Sequence, residues 1–293
     1  MTSRAAPSRR PARPPRVPDR VLWVNGELMR GEDAKLSLFD RGARDGEGLF
    51  ETVRVVSGQP FAWERHLERL VLSAAVLGFP VPAGPAQLRH GLERLLAEEA
   101  LTDAVARLTV TRGVPGGRPT RTGAWIEAEP LSARLWPGTR RGAGVAIVSR
   151  HPFSPGSLAA HKTTSRLAYA LAREEARVAR ADEVLLLAPD GQLLEGAASN
   201  VFVVRDGEVR TPPLASGILP GITRAIVIER CRALDIPVCE KRLGRENLEH
   251  ADEVFLTNAA QWVVPLATLE GRELPSRELG TRLAEDYRRF AES

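Results

Sequence analysis

Two periodicities alternate along this chain. Residues 63–77 space their apolar side chains three and four apart, which predicts an amphipathic helix, and 85–99, 164–179, 222–234 and 276–291 do the same. Short alternating or β-branched runs predict strands between them, at 49–56, 104–112, 125–130, 145–149, 183–188, 201–204, 237–242 and 253–257. Residues 21–30 read as a hairpin turning at Asn25-Gly26, and 36–39 as a short strand. Strands and helices do not alternate as regular βαβ units, and no segment repeats. The pattern predicts an α+β fold rather than a doubly wound sheet. The Pro/Gly-rich stretch 136–144 reads as a linker between a smaller N-terminal domain, 21–135, and a larger C-terminal one, 145–293.

Composition changes this picture in three places. The 293 residues carry a formal net charge of +4, but six arginines against one aspartate sit in residues 1–20, so the body is close to neutral. That Arg/Pro-rich tail reads as disordered, and a near-neutral body argues against nucleic acid as partner. No apolar run reaches membrane-spanning length, and two cysteines with five scattered histidines offer neither a disulfide scaffold nor a metal motif. A reduced, cytoplasmic, metal-free enzyme is the class these counts suit. Third, of 41 basic residues only Lys35, Lys162 and Lys241 are lysines. Arginine cannot form a Schiff base and lysine can, so these are the three candidates for imine chemistry. Lys241 sits among charged residues and Lys35 in a polar turn. Lys162 lies just before a helix with few charges at its start and is the best of the three.

The stretch 193–224 organises the second half. Glu195 closes a strand, a small-residue turn 196–200 follows, then a β-branched strand, then a Pro/Gly-rich loop leading to Gly221-Ile222-Thr223 at a helix start. A glycine-preceded helix start exposes unpaired N–H groups and the positive end of the dipole, so it reads either as a phosphate seat with Thr223 adding a hydroxyl, or as an ordinary N-cap. His66 and Arg69 fall one helical turn apart, and by themselves read as a solvated helix face.

Taken in order, DRGARDGEGLFETVRV at 40–55, HLERL at 66–70, VTRG at 110–113, HKTTSRLAYALAREEA at 161–176, LLEGAASNVFVV at 193–204, TPPLASGILPGITR at 211–224 and DEVFLTNAAQWVVPL at 252–266 resemble the fold-type IV pyridoxal-phosphate enzymes, or class IV aminotransferases. The resemblance implies a two-domain α+β fold with pyridoxal 5'-phosphate between the domains, in a homodimer. It aligns Lys162 with the family's Schiff-base lysine and Glu195 with the glutamate that pairs with the pyridine nitrogen. It aligns Arg69, Gly221, Ile222, Thr223 and Thr257 with ligands of the cofactor phosphate.

Within the family, departures decide. The tyrosine and Arg-x-His pair of D-amino-acid aminotransferases are replaced by Phe50 and by Arg112-Gly113-Val114, and the tyrosine that branched-chain enzymes carry five residues after the lysine is Leu167 here. The spacing of Lys162, Arg166 and Leu167, the run Arg112, Gly116, Gly117, Arg118 and the Thr257-Asn258-Ala259 triplet resemble the 4-amino-4-deoxychorismate lyases. That resemblance implies a lyase releasing p-aminobenzoate and pyruvate for folate synthesis, with Arg112 and Asn258 on the substrate carboxylates and Phe50 beside the substrate. The alternative is an aminotransferase for branched-chain or D-amino acids. Either enzyme uses Lys162 as base at the amine-bearing carbon. A non-catalytic binding protein on this scaffold is a third reading, opposed by the presence of both Lys162 and Glu195.

Overall fold

A computed structural model describes residues 20–78, 81–116, 123–154 and 156–293. The predicted tail up to residue 19, and Gly117 and Arg118 with it, lie outside the described residues. The architecture is α+β and built on two sheets. The first takes its strands from the N-terminal half. Val21–Val24 and Glu27–Arg30 pair around Asn25-Gly26, both at positive φ, and join Gly48–Val56, Gln59–Pro60, Ala104–Thr111 and Ala124–Pro130. Ala104–Thr111 runs antiparallel to Gly48–Val56 on one side and to Ala124–Pro130 on the other. The helices Trp63–Leu77 and Pro85–Glu98 cover one face, burying Leu67, Leu70, Leu88, Leu92 and Leu95 against Leu49, Val53 and Val55. This is the stripe that their 3.6-residue spacing predicts.

Among the described residues the second sheet has nine strands and mixes parallel with antiparallel pairs. Its centre is the run Asn200–Arg205, Glu253–Asn258, Trp262–Leu269, where almost every residue is buried and Val, Leu and Phe fill just over half of the positions. Both faces are covered, which is why these strands read as continuous apolar runs rather than as alternation. Between the sheets, 131–143 carries two short helices, Leu131–Arg134 and Pro137–Arg141.

Two predicted elements differ. Residues 36–39 form no strand. Asp40 instead accepts hydrogen bonds from Gly42 N (2.7 Å) and Thr111 Oγ1 (2.9 Å), capping the short Arg41–Arg44 helix, and Leu38 and Phe39 stand 85% and 66% exposed. The predicted 164–179 helix starts only at Leu167. Thr164 N donates to Gly48 O, and the Thr164 and Ser165 hydroxyls donate to Gly46 O, so the backbone there is held by the first sheet rather than by a helical turn.

Candidate active site

A cavity of about 560 Å³ lies where the two halves meet. Phe50, Thr52, Arg69 and Arg107 enter it from the first sheet and its helix, and Lys162, Glu195 and Thr257 from the second half. Phe50 and Thr52 are alternate residues of one strand and so share a face, and Arg107 is the cross-strand partner of Thr52.

Lys162 is held across the two halves. Its carbonyl accepts Phe50 N (2.9 Å), Thr163 bridges Leu49, and its Nζ lies 4.7 Å from the Phe50 ring centroid. The residue is half-buried by area because it opens onto the cavity, while its amine end is enclosed. Burial, then the Arg69 guanidinium, lower its pKa to about 7 against a partial pull from Glu51. A buried lysine near pH 7 is part free base, the form that attacks carbonyls and takes up protons.

Glu195 is 5% exposed. Its oxygens accept Tyr169 Oη (3.3 Å), Asn200 Nδ2 (3.3 Å) and Leu219 N (3.0 Å). Burial raises its pKa to about 7 against these donors. A buried carboxyl with neutral donors and a raised pKa is matched to a cationic N–H partner.

The third feature is the start of the Ile222–Ala233 helix. Its first ladder bond to the preceding turn is Ala225 N to Gly221 O, which leaves the N–H groups of 222–224 outside the ladder. Gly221 makes no side-chain cap, and a Cβ there would collide with Asn200 Oδ1, so only glycine lets Asn200 reach Leu219 O (3.0 Å). Thr257 Oγ1 is buried with no hydrogen-bond partner among the described residues, an omission worth about 1–3 kcal/mol unless a ligand supplies the acceptor. Arg69 is not on a solvated face. Its Nε and Nη2 donate to Glu51 (2.8 and 2.6 Å) and its Nη1 to Pro220 O (2.8 Å), just before the helix start. His66 Nδ1 also meets Glu51, at 2.7 Å. Burial alone would raise the Glu51 carboxyl, but Arg69 and His66 reverse it to about 2. Glu51 thus fixes Arg69 with a permanent charge. Glu51, the one acidic residue of the strand Gly48–Val56, was the signal for it.

Two residues expected at the substrate are engaged elsewhere. Arg112 does not line the cavity. It pairs with Glu47 (2.5 Å) and donates to Leu77 O (2.9 Å) and Gly78 O (2.8 Å), tying the end of a helix to the loop after its own strand. Asn258 does line the cavity, but its Oδ1 accepts Ala260 N (3.0 Å) and Gln261 N (2.8 Å), so that oxygen builds the turn. Phe50 does reach the cavity, with the Arg107 guanidinium stacked 3.7 Å from its ring centroid. Arg107 Nε donates to Thr109 Oγ1 (3.3 Å), and its two Nη groups make no hydrogen bond among the described residues. Burial lowers its pKa, opposed by Glu127. Sequence reading missed Arg107, although its two-residue offset from Thr109 puts both on one strand face. Arg166 also lines the cavity, stacked 3.5 Å over Tyr169 and donating to Ala197 O (2.7 Å).

The family model for amino-transferase class IV matches residues 48–269. The chain belongs to that family. A provisionally assigned branched-chain-amino-acid aminotransferase of Methanocaldococcus jannaschii is 34% identical over 267 residues, covering 88% of this chain and 91% of the relative. A D-alanine aminotransferase of Listeria monocytogenes is 30% identical over 282 residues, covering 92% and 95%. Among solved structures, the branched-chain aminotransferase of Thermoproteus uzoniensis with norvaline superposes with a TM-score of 0.84 at 29% identity, over 93% of this chain and 95% of that one. A provisionally assigned 4-amino-4-deoxychorismate lyase of Legionella pneumophila gives 0.79 at 25%, over 87% and 95%.

The class IV family uses pyridoxal 5'-phosphate, and a branched-chain aminotransferase of this fold has been solved with pyridoxamine 5'-phosphate. The cavity fits the cofactor at three points. The unbonded N–H groups of 222–224, the orphaned Thr257 hydroxyl and Arg69 suit a phosphate. The buried Glu195 suits a protonated ring nitrogen, and the low-pKa Lys162 suits the aldehyde. Among the described residues no group of histidine, cysteine or acidic side chains could hold a metal, and no helix is long and apolar enough to cross a membrane.

Proposed function

We propose that this protein is an aminotransferase that moves an amino group between an amino acid and a 2-oxo acid. The observation that carries this reading over the lyase is the engagement of Arg112 and Asn258 Oδ1 in holding the fold, while Arg107 keeps two Nη groups open beside Phe50. A partly buried guanidinium with open N–H groups suits a substrate carboxylate. The aminotransferase names of the Methanocaldococcus, Listeria and Thermoproteus proteins support the same reading.

When bound, pyridoxal 5'-phosphate supplies an aldehyde that joins amines covalently and a ring that accepts an electron pair. Lys162 Nζ would anchor it, then take the proton from the substrate's amine-bearing carbon and deliver it to the carbon that had been the aldehyde, the 1,3-shift a transamination requires. Glu195 balances the charge of a protonated ring nitrogen. Arg69, Thr223, Thr257 and the amides from Ile222 onward hold the phosphate, with Glu51 keeping Arg69 in place. Phe50, Trp136 and Ala259 offer apolar wall to a branched or small side chain. The substrate is thus a small-molecule amine, a branched-chain or a D-amino acid.

A panel of L- and D-amino acids, each paired with 2-oxo acids, tests this reading: transfer with at least one pair is expected, and none with any pair overturns it. The lyase is the second reading, favoured by the Legionella likeness and by the spacing of Lys162 and Arg166. Release of p-aminobenzoate and pyruvate from aminodeoxychorismate, with no acceptor present, would establish it instead. A homodimer belongs to the same proposal. Exposed Leu38, Phe39, Leu72 and Val76 give apolar surface for a second copy, and sedimentation should return twice the chain mass.

A further inference from the structure

The turn that forms one wall of the cavity is pinned from outside it. Glu253–Asn258 and Trp262–Leu269 pair as a hairpin with Asn258 opposite Trp262, so Ala259, Ala260 and Gln261 are a three-residue loop. All three line the cavity. Such loops ordinarily end in a left-handed residue, and glycine is the residue suited to it. Here the left-handed residue is instead Trp262, the first of the returning strand, at φ 63°. A bulky side chain in left-handed backbone persists where its surroundings hold it.

What holds Trp262 comes from the other sheet. The Arg54 guanidinium stacks 3.5 Å from its ring centroid and donates from Nη1 to Ala260 O (3.3 Å). Phe61 meets it edge-on at 5.9 Å and Tyr287 of the C-terminal helix at 5.5 Å. Arg54 is the next same-face residue of the strand that sends Phe50 and Thr52 into the cavity. One strand therefore supplies the substrate wall directly and braces the opposite wall through Arg54. From the far side, Gln261 Oε1 accepts Trp136 N (3.0 Å) and Thr139 Oγ1 (2.7 Å), and its Nε2 donates to Arg134 O (2.8 Å). The brace carries a cost: Arg54 Nε and Trp262 Nε1 are buried with no hydrogen-bond partner among the described residues. Its consequence is the position of the turn.

We propose that Arg54 and Trp262 are positioning residues that lock the 259–261 turn in the conformation the substrate meets, leaving the cofactor's phosphate end, at Thr257 and the 221–223 helix start, independent of them. The proposal rests on the family's chemistry and not on the choice between aminotransferase and lyase.

Arg54→Met keeps the stem and removes the stacked guanidinium. Trp262→Gly removes the pin while suiting the backbone. The readouts are hydrogen exchange at the amides of 260–262, cofactor affinity from spectral titration of the apoprotein, and KM for whichever amine the unaltered enzyme turns over. Exchange at 260–262 should quicken and KM should rise, each by at least about tenfold, with cofactor affinity within about twofold. Arg54→Lys, which keeps the charge but not the planar stack, should rescue less than half of either change. Because exchange is read without turnover, failure of the transaminase reading leaves this test standing. Folded Arg54→Met protein with unchanged exchange and unchanged KM would overturn the proposal. So would cofactor affinity falling in step with KM, since the pin would then serve the phosphate end.

Discussion

The cofactor end and the substrate end of one cavity are built in different ways. At the cofactor end Gly221, Glu195 and Thr257 are fixed by their own neighbourhoods in sequence, while Lys162 and Arg69 are tied to Phe50 and Pro220 in the opposite halves. Gly221 opens the helix whose free amides suit a phosphate, Glu195 lies in a strand five residues from the Asn200 that bonds it, and Thr257 sits in a buried strand. At the substrate end the parts come from far apart. Phe50 meets Arg107 across 57 positions, Ala260 meets Arg54 across 206, and Gln261 meets Trp136 across 125. Local geometry carries chemistry through a motif, while long-range packing is free to vary with the substrate.

The largest test of the first half is Lys162→Ala, expected to lower turnover by about 10⁴-fold and to end covalent retention of the cofactor, as denaturing mass spectrometry would read. Glu195→Gln keeps shape but removes the balancing charge. Turnover should fall by about 10²-fold with the cofactor still bound, measured by single-turnover absorbance. On the substrate side, Arg107→Met should raise KM for a carboxylate substrate by about 10- to 100-fold while cofactor affinity holds. A matching loss of cofactor affinity would erase the distinction between the two ends.

Proton linkage sharpens it further. The folded pKa of Lys162 is lowered, to about 7, so its free amine is present above that value and lost below it. Capture of the cofactor aldehyde by the apoprotein should rise with pH and level off near 7, falling about tenfold per unit on the acid side. Levelling only in the ordinary lysine range would contradict the enclosed site. The smallest effect belongs to Thr257→Val. Because its hydroxyl has no partner among the described residues, thermal melting of the apoprotein should hold or rise, while cofactor affinity drops by about three- to tenfold.

The same contrast governs what could be read from the sequence. The helices, most of the strands and the α+β class follow periodicity, because burial imposes it, while the strands Glu208–Thr211 and Trp262–Leu269 escaped it. The predicted 36–39 strand fails because Asp40 spends its side chain on a helix cap and on Thr111. The predicted helix start at 164 fails for a related reason, since Thr164 and Ser165 bond to Gly46 and Gly48, a pairing more than a hundred residues away. Lys162 stood out because arginine is used almost everywhere else, and Glu195 and Gly221 because their turns are local. Arg112 was drawn to the substrate by its motif, yet its guanidinium is spent on Glu47 and two carbonyls. Arg107 carries no local signal beyond strand parity. Choosing between them required knowing which strand faced the cavity.

The most direct measurement is a half-reaction. Purified protein with its cofactor would be mixed with an amino acid and no acceptor, following the cofactor's absorbance and the 2-oxo acid released. The account predicts one 2-oxo acid per site, conversion of the cofactor to its amine form, and full return on adding a 2-oxo acid. A cofactor unchanged by every L- and D-amino acid, in protein that splits pyruvate from aminodeoxychorismate turnover after turnover, would contradict it.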